Sequence, residues 1–146
     1  MKSHYKIIGR IEKISFTEFN INDVDAKIDT GAYRNALHCS EIKLADGKLH
    51  VTILDHPNHP ENITMVFNDF KTVKIRSSNG FLQRRYLIKT KVKFGKKIYH
   101  TSFSLVNREK MKYSVLLGRE FLKNHFLINV NFKYLIDENW RIIKEW

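Results

Sequence analysis

The sequence ends one predicted strand with an acidic residue, in the tripeptide Asp29-Thr30-Gly31. Val24, Ala26 and Ile28 alternate with polar residues, which predicts a half-buried strand leading into this acid. Glycine allows the backbone to turn tightly, and the threonine hydroxyl can bond to neighbouring backbone, so the turn can hold the carboxylate rigidly. A carboxylate held in this way can act as a general base on water. The alternative interpretation is an Asx-type turn that only terminates the strand.

Hydrolysis of an amide by carboxylates requires two acids that lie close together and share one proton. The chain has a single Asp-Thr-Gly, and the other candidate, Asp46-Gly47, lacks the hydroxyl residue and is predicted to form a hairpin turn. We therefore expect a homodimer in which Asp29 from each subunit meets its copy on a two-fold axis. The apparent pKa values would then belong to the pair of acids.

Length and composition predict a soluble protein with one domain over residues 1–146. The 146 residues are enough for a sizeable core, and 42% of them are hydrophobic. No apolar run reaches the length of about 18 residues that a membrane-spanning helix needs, and no signal sequence is recognisable at the N-terminus. The single cysteine, Cys39, rules out a disulfide within the chain and suits a reducing compartment. We expect a cytoplasmic protein with no membrane partner.

The charge predicts an acidic partner. The chain has 26 Lys and Arg residues against 15 Asp and Glu residues, which gives a net charge of +11. A charge of this size favours association with an acidic peptide, a nucleic acid, a ribosome or an anionic surface. Because the basic residues are spread through strand-like segments, a disordered nucleic-acid-binding arm is not indicated.

Short strands joined by turns predict an all-β barrel or a closed sandwich. Asp46-Gly47 and Asn79-Gly80 are hairpin signals, and one short helix is predicted at residues 120–124. Both prolines fall in residues 55–62, which predicts a loop there. For residues 140–146, a strand, a helical turn and a dimerisation tail remain open. Residues 5–16 are predicted to form a strand or a bent pair of strands, and residues 63–75 an extended segment with a break near Asn68-Asp69. The other predicted strands are 24–28, 37–44, 49–54, 84–94, 98–106 and 127–136.

A second stretch, Leu116-Leu117-Gly118-Arg119, directly precedes the predicted helix. An early Asp-Thr-Gly-Ala and a late apolar pair before Gly-Arg and a short helix resemble the retropepsins, the retroviral-type aspartic proteases. The order of five motifs resembles more narrowly a bacterial family that is labelled ATP-dependent zinc protease, is associated with RimK-type glutamate ligases and is regarded as retropepsin-like. The motifs lie at residues 27–32, 36–39, 76–80, 85–90 and 116–119, and the resemblance extends over residues 5–136.

The resemblance implies a closed retropepsin-like acid-protease barrel with one short C-terminal helix, and an aspartic endopeptidase activity. It implies that Asp29 is the catalytic acid and that Thr30 and Gly31 brace the paired loops. Gly118 and Arg119 would stabilise the base of the site. The association with glutamate ligases implies a substrate, namely glutamate tails on a ribosomal protein.

The sequence departs from the retropepsins just after the catalytic motif. Classical members carry acidic residues there, one of which pairs with the later arginine, whereas this chain has Ala32, Tyr33 and Arg34. The usual partner of Arg119 is therefore missing. Ala32 and Arg34 would contact the substrate, and Arg34 would favour acidic side chains.

Retropepsins close a hairpin flap over the substrate, and two segments are candidates for it. One lies between Arg76 and Arg85 around the Asn79-Gly80 turn, and the other is the loop 55–62. Arg76, Arg84 and Arg85 could clamp substrate carboxylates in the bidentate manner that suits arginine. An ordinary solvated strand face is the alternative for these arginines.

Metal and nucleotide chemistry find little support in the sequence. Neither a His-Glu-x-x-His helix nor a Cys-x-x-Cys pair is present, and no phosphate-binding glycine loop occurs. We therefore expect no metal and no cofactor, and we expect Cys39 to be buried core. Two other functions remain open: a non-catalytic module of the same fold that binds acidic peptide or RNA, with Asp29 structural, and a zinc peptidase. The residues considered as zinc ligands are His38, Cys39, His50, His56 and His59.

Overall fold

The computed structural model describes residues 2–77, 79–138 and 141–145 of the chain. Strands make up most of this part, and among these residues no helix has the length and apolar character needed to cross a membrane. The elements are β1 (Lys2–Ile8), β2 (Ile11–Phe16), β3 (Ile21–Ile28), β4 (Asn35–Ala45), β5 (Lys48–His56), β6 (His59–Phe67), β7 (Lys71–Arg76), β8 (Leu82–Phe94), β9 (Lys97–Val106), β10 (Val115–Leu117), α1 (Arg119–Leu122), β11 (Phe126–Ile128) and β12 (Arg141–Glu145).

Six strands form a closed barrel in the order β10-β3-β2-β8-β9-β4, and β10 closes the ring by pairing with β4. The β3–β10 and β4–β9 pairs are parallel, and the other pairs in the ring are antiparallel. β5 and β6 extend the sheet from β4, while β7 pairs with β8. The closed all-β barrel with a single short helix confirms the fold class predicted from the sequence.

Alternation of residue type determines which side chains enter the barrel. In β3, Ile21, Val24, Ala26 and Ile28 are buried, whereas the residues between them are exposed or half-buried. Aromatic rings then fix the helix to the barrel, because Phe121 of α1 packs edge-on against Phe94 of β8 at a ring distance of 5.4 Å. Strand and helix therefore bury their apolar faces in one continuous core.

The two ends of the chain lie in a second, three-stranded sheet of order β11-β1-β12. β1 runs parallel to β11 and antiparallel to β12, with Lys2 opposite Glu145. The C-terminal segment that the sequence left open is thus a strand over Arg141–Glu145, while Trp140 and Trp146 lie outside the described residues.

The predicted loop at residues 55–62 is wrong. β5 continues to His56 and β6 begins at His59, so only Pro57 and Asn58 form the turn. The His56 ring stabilises this turn because its Nδ1 accepts a hydrogen bond from the Asn58 N–H at 2.9 Å. Pro60 is tolerated within β6 because β6 is the outermost strand of its sheet, where a missing N–H costs little.

The predicted strand 127–136 is also wrong beyond Ile128. The Asn129 side chain accepts a hydrogen bond from the Asn131 N–H at 3.1 Å, which turns the backbone away from the sheet. Tyr134 then adopts a left-handed φ of 60°, which a strand does not allow. The short helix is confirmed, one residue earlier at its start than predicted.

A buried carboxylate ties together the loops at the base of the barrel. The Glu12 side chain is fully buried and accepts hydrogen bonds from the backbone N–H groups of Gly9, Leu135 and Ile136 at 2.7, 2.8 and 3.1 Å. A Cβ at Gly9 would collide with the Phe132 carbonyl, so these two loops can touch only where glycine stands. Glu12 therefore replaces the ladder hydrogen bonds that the irregular segment after β11 lacks.

We predict that Glu12→Gln lowers the free energy of unfolding by about 2 kcal/mol, because the amide nitrogen cannot accept from backbone N–H groups and leaves buried donors unpaired. Urea denaturation followed by circular dichroism measures this change. Glu41→Gln, which makes the same substitution at an exposed site on β4, is the control. Equal stability of the two variants would contradict the bracing role of Glu12.

Candidate active site

The Asp29 carboxylate is held by the turn that follows β3. Its Oδ1 accepts a hydrogen bond from the Gly31 N–H at 2.9 Å, and its own N–H donates to the Leu117 carbonyl of β10 at 2.9 Å. Gly31 leaves little space beside the acid, since a Cβ there would lie 3.2 Å from Oδ1. The turn therefore fixes the acid on both its backbone and its side chain.

The start of α1 supports this turn from behind. The Arg119 N–H donates to the Ala32 carbonyl at 2.8 Å, and the Glu120 N–H donates to the Tyr33 carbonyl at 2.9 Å. A Cβ at Gly118 would lie within 2.8 Å of three consecutive carbonyl oxygens of the loop, so only glycine allows this approach. Gly118 and Arg119 thus contact the loop that carries Asp29, where the resemblance expects them.

Arg119 contacts a backbone carbonyl and an aromatic ring instead of a carboxylate. Its Nη1 donates to the Thr30 carbonyl at 2.9 Å, and its guanidinium carbon lies 5.8 Å from the centre of the Tyr33 ring. Among the described residues it forms no ion pair. Glu120 instead forms an ion pair with Arg34, at 3.5 Å.

A groove of about 910 Å³ lies over Asp29. Gly31, Ala32 and Arg34 line it beside the acid, and the β7–β8 hairpin forms one wall. At the tip of this hairpin Gly80 has a φ of 83°, and Arg76 Nη1 donates to the Gly80 carbonyl at 2.8 Å. Of the two segments considered as flap, this hairpin borders the groove, whereas the β5–β6 turn does not.

The structure brings most of the predicted substrate-binding residues to this groove. Ala32, Arg34, Arg76 and Arg85 line it. Arg84 does not, because successive side chains of β8 point to opposite faces and Arg84 is exposed on the other one. Thr30 contributes its carbonyl to Arg119 and is not part of the lining.

Among the described residues, one acid and five cations line the groove. Asp29 is the acid among the lining residues, and the cations are Arg34, Lys74, Arg76, Arg85 and Arg108. Sequence reasoning missed Arg108. The signal that was available is its position just after β9, where the chain leaves a buried strand that runs parallel to β4.

Two of the arginines are partly withdrawn from water. Burial lowers the pKa of Arg85, and it also lowers the pKa of Arg108. The nearby positive charge of Arg85 lowers the pKa of Arg108 further, while the Asp29 carboxylate acts in the opposite direction. The charges of Arg85 and Asp29 therefore both act on Arg108, in opposite directions.

Two buried histidines hold the backbone of Arg108. His38 Nδ1 accepts from the Arg108 N–H at 2.7 Å, and His56 Nε2 lies 2.8 Å from the Arg108 carbonyl oxygen. Because His56 Nδ1 already accepts from Asn58, its Nε2 carries the proton and donates to that carbonyl. The two rings meet edge-to-face at 4.8 Å.

The other residues considered as zinc ligands do not join this pair. Among the described residues, no three His, Cys, Asp or Glu side chains are grouped as metal ligands would be. Cys39 is buried in the core, as expected, and burial raises the pKa of its thiol. His59 instead approaches Glu61 at 3.8 Å.

We predict that acid destabilises the protein through His38. Burial and then the neighbouring His56 lower the pKa of His38 below its ordinary value of 6.5. As the pH falls through 6.5, the unfolded chain takes up a proton that the folded chain does not, so the free energy of unfolding decreases. His38→Asn, whose side-chain oxygen can still accept from Arg108, should flatten this decrease between about pH 7 and pH 5. His100→Asn, on the exposed face of β9, is the control, and equal slopes for the two variants would contradict the assignment.

Comparison with known proteins places this arrangement in a family. A family model described as retropepsin-like aspartic endopeptidase RimB matches residues 7–139. A probable alpha-L-glutamate ligase of Desulfotalea psychrophila is 32% identical over 129 residues, which are 85% of this chain and 28% of that protein. One from Shewanella pealeana is 28% identical over 143 residues, which are 94% of this chain and 31% of that protein. The chain thus spans less than a third of the length of these relatives.

A solved structure agrees with the fold. A Legionella pneumophila protein of unknown function superposes with a TM-score of 0.69 at 23% identity, covering 88% of this chain and 96% of that one. At this identity the likeness supports the barrel and says nothing of activity. The family model, in contrast, covers the Asp29 turn, the groove and the helix that supports them. The chain belongs to the RimB-like family of retropepsin-like aspartic endopeptidases.

Proposed function

We propose that this chain is one subunit of a homodimeric aspartic endopeptidase in which Asp29 is the catalytic acid. The observation that carries the proposal is the fixed Asp29 carboxylate at a groove large enough for a peptide, with the Gly31 N–H on its Oδ1. Family membership supports it, because the family is described as aspartic endopeptidases. The rigid turn aims the carboxylate before any substrate arrives, as a catalytic group requires.

The proposed reaction uses the Asp29 side chains of two subunits. The pair shares one proton, because two carboxyl groups in direct contact cannot both be ionised. The ionised member takes a proton from water, the water oxygen attacks the scissile carbonyl, and the protonated member donates to the carbonyl oxygen. Collapse of the tetrahedral intermediate transfers a proton to the leaving nitrogen and restores the pair. Among the described residues, nothing hydrogen-bonds to Asp29 Oδ2, so this oxygen is free for the reaction.

The single acid and its position support the proposed dimer. Thr30 and Gly31 are exposed in the isolated chain, so the catalytic turn is accessible to a second copy. A two-fold axis through this turn would bring the two Asp29 side chains together and would double every cation in the groove.

The proposed substrate is an acidic peptide, specifically a glutamate tail on a protein such as a ribosomal protein. Five cationic side chains line the groove together with Asp29, of which Arg34 is paired with Glu120, and the chain carries a net charge of +11. The curated relatives are named probable alpha-L-glutamate ligases, which connects the family with glutamate chemistry. Trimming of such tails would take place in the cytoplasm, where ribosomes work.

A non-catalytic module that binds acidic peptide or RNA is the second candidate, and the cationic groove is the observation that favours it. A zinc peptidase is disfavoured, because among the described residues no three His, Cys, Asp or Glu side chains are grouped as metal ligands would be. The experiment below separates all three functions.

We predict that the wild type shortens a poly-glutamylated peptide in the presence of a chelator, and that Asp29→Asn reduces the rate by roughly three orders of magnitude or more. Intact-mass spectrometry follows the cleavage. Asp23→Asn, the same change at an exposed, left-handed position of β3 that asparagine tolerates, should retain the wild-type rate.

Cleavage by the Asp29→Asn variant at the wild-type rate would exclude Asp29 as the catalyst. Loss of wild-type activity on adding the chelator would support a zinc peptidase instead. Tight binding of the peptide without cleavage by any variant would favour the binding module.

A further inference from the structure

Arg108 is held unusually firmly for an arginine that faces a groove. His38 and His56 bind its backbone N–H and carbonyl, and its Nε donates to the Tyr113 carbonyl at 3.0 Å. Its two terminal amino groups make no hydrogen bond with any described residue. The guanidinium is therefore fixed in position while the donors of its fork remain unused.

Arg85 lies beside Arg108 and is also underused. Its Nη2 donates to Gln83 Oε1 at 3.0 Å, but its Nε is buried and has no partner among the described residues. Neither arginine forms an ion pair within the described part of the chain. Two half-buried like charges that form no ion pair are unfavourable, and a bound anion relieves both the repulsion and the unpaired donors.

We propose that Arg85 and Arg108 together form a subsite for a substrate side-chain carboxylate next to the scissile bond. The proposal rests on the proposed function, and it identifies the part of the groove that selects glutamate. The general positive charge of the groove attracts an acidic chain, whereas this pair recognises one carboxylate of it.

The geometry favours a carboxylate of a peptide over a phosphate of RNA. Both arginines line the same groove as Asp29, so a peptide bound in this groove can present one of its side chains to them. Arginine forks match the two oxygens of a carboxylate in a bidentate manner. The one acid in the lining would repel a phosphate backbone that has a charge at every nucleotide, whereas a peptide can place its uncharged amide against Asp29.

The test measures binding without turnover. In the Asp29→Asn background, fluorescence anisotropy gives the Kd of a labelled peptide that contains four consecutive glutamates and of its glutamine counterpart. Measurements at about 0.15 M and at higher salt separate specific contacts from the general field, which salt screens. We expect the glutamate peptide to bind more tightly, and we expect Arg108→Gln and Arg85→Gln each to reduce this preference about tenfold or more.

Arg84→Gln is the matched control. It removes the same charge from the residue next to Arg85 but from the face of β8 outside the groove, so the preference for glutamate should change by less than about threefold, as expected for an exposed charge. Arg108→Lys keeps the charge and loses the fork, and we expect it to lose most of the preference. Thermal melts show which variants fold. If Arg108→Gln does not fold, Arg108→Lys and Arg85→Gln provide the test in its place.

Equal losses in Arg84→Gln and Arg108→Gln would overturn the subsite and leave only a general field. Equal binding of the glutamate and glutamine peptides would overturn it as well, and so would tighter binding of a short RNA with the same dependence on Arg108. Because the assay uses a variant without turnover, its result is independent of catalysis. The two proposals can therefore fail separately. If binding prefers glutamate through Arg108 but no cleavage depends on Asp29, the subsite is retained and the protease function is rejected.

Discussion

The close contact between Gly118 and the Asp29 loop is the constraint on which the site depends. β10 closes the barrel between β3 and β4, and the chain must then start α1 directly against the carbonyls of residues 32–34. Only glycine allows that approach, and it lets Arg119 N–H and its guanidinium bond to the loop on both sides of Gly31. The segment from β10 through Gly118 to the start of α1 therefore both closes the barrel and positions the acid.

Buried polar groups hold the irregular segments around this contact. Glu12 binds three backbone N–H groups at the base of the barrel, and His38 and His56 bind the backbone of Arg108 at the groove. Each of these groups is inside the protein and has its partners in loops, where no ladder supplies hydrogen bonds. Buried side chains that hydrogen-bond to loop backbone thus hold these loops rigidly, as a functional site requires.

The proposed selectivity of the groove rests on its charge distribution. Among the described lining residues, five cations accompany the Asp29 carboxylate, an arrangement that would attract an acidic chain toward the proposed general base. Attraction by the whole field speeds encounter, while fixed forks decide which side chain stays. The half-buried pair Arg85 and Arg108 is suited to the second task, and the more exposed cations are suited to the first.

The sequence predicted features that depend on neighbouring residues. The alternation before Asp29, the turns at Asp46-Gly47 and Asn79-Gly80, and the Gly118-Arg119 motif are all local, and together with the resemblance they predicted the barrel and its acid. The sequence did not predict Arg108 or the role of Glu12, because His38 lies 70 residues from Arg108, and Leu135 and Ile136 lie more than 120 residues from Glu12. The prolines misled at residues 55–62, since the tolerance of Pro60 depends on β6 being an outermost strand.

The central claim is that one site is built from the Asp29 residues of two chains. Its most direct test is the binding stoichiometry of an inhibitor. The inhibitor is an acidic peptide in which a hydroxyl-bearing group replaces the scissile bond and mimics the tetrahedral intermediate, because such analogues bind far more tightly than substrates. Isothermal titration calorimetry should give one inhibitor for every two chains, whether the dimer is permanent or assembles on the ligand, and no tight binding to Asp29→Asn. One inhibitor per chain, or equally tight binding to that variant, would contradict the shared acid.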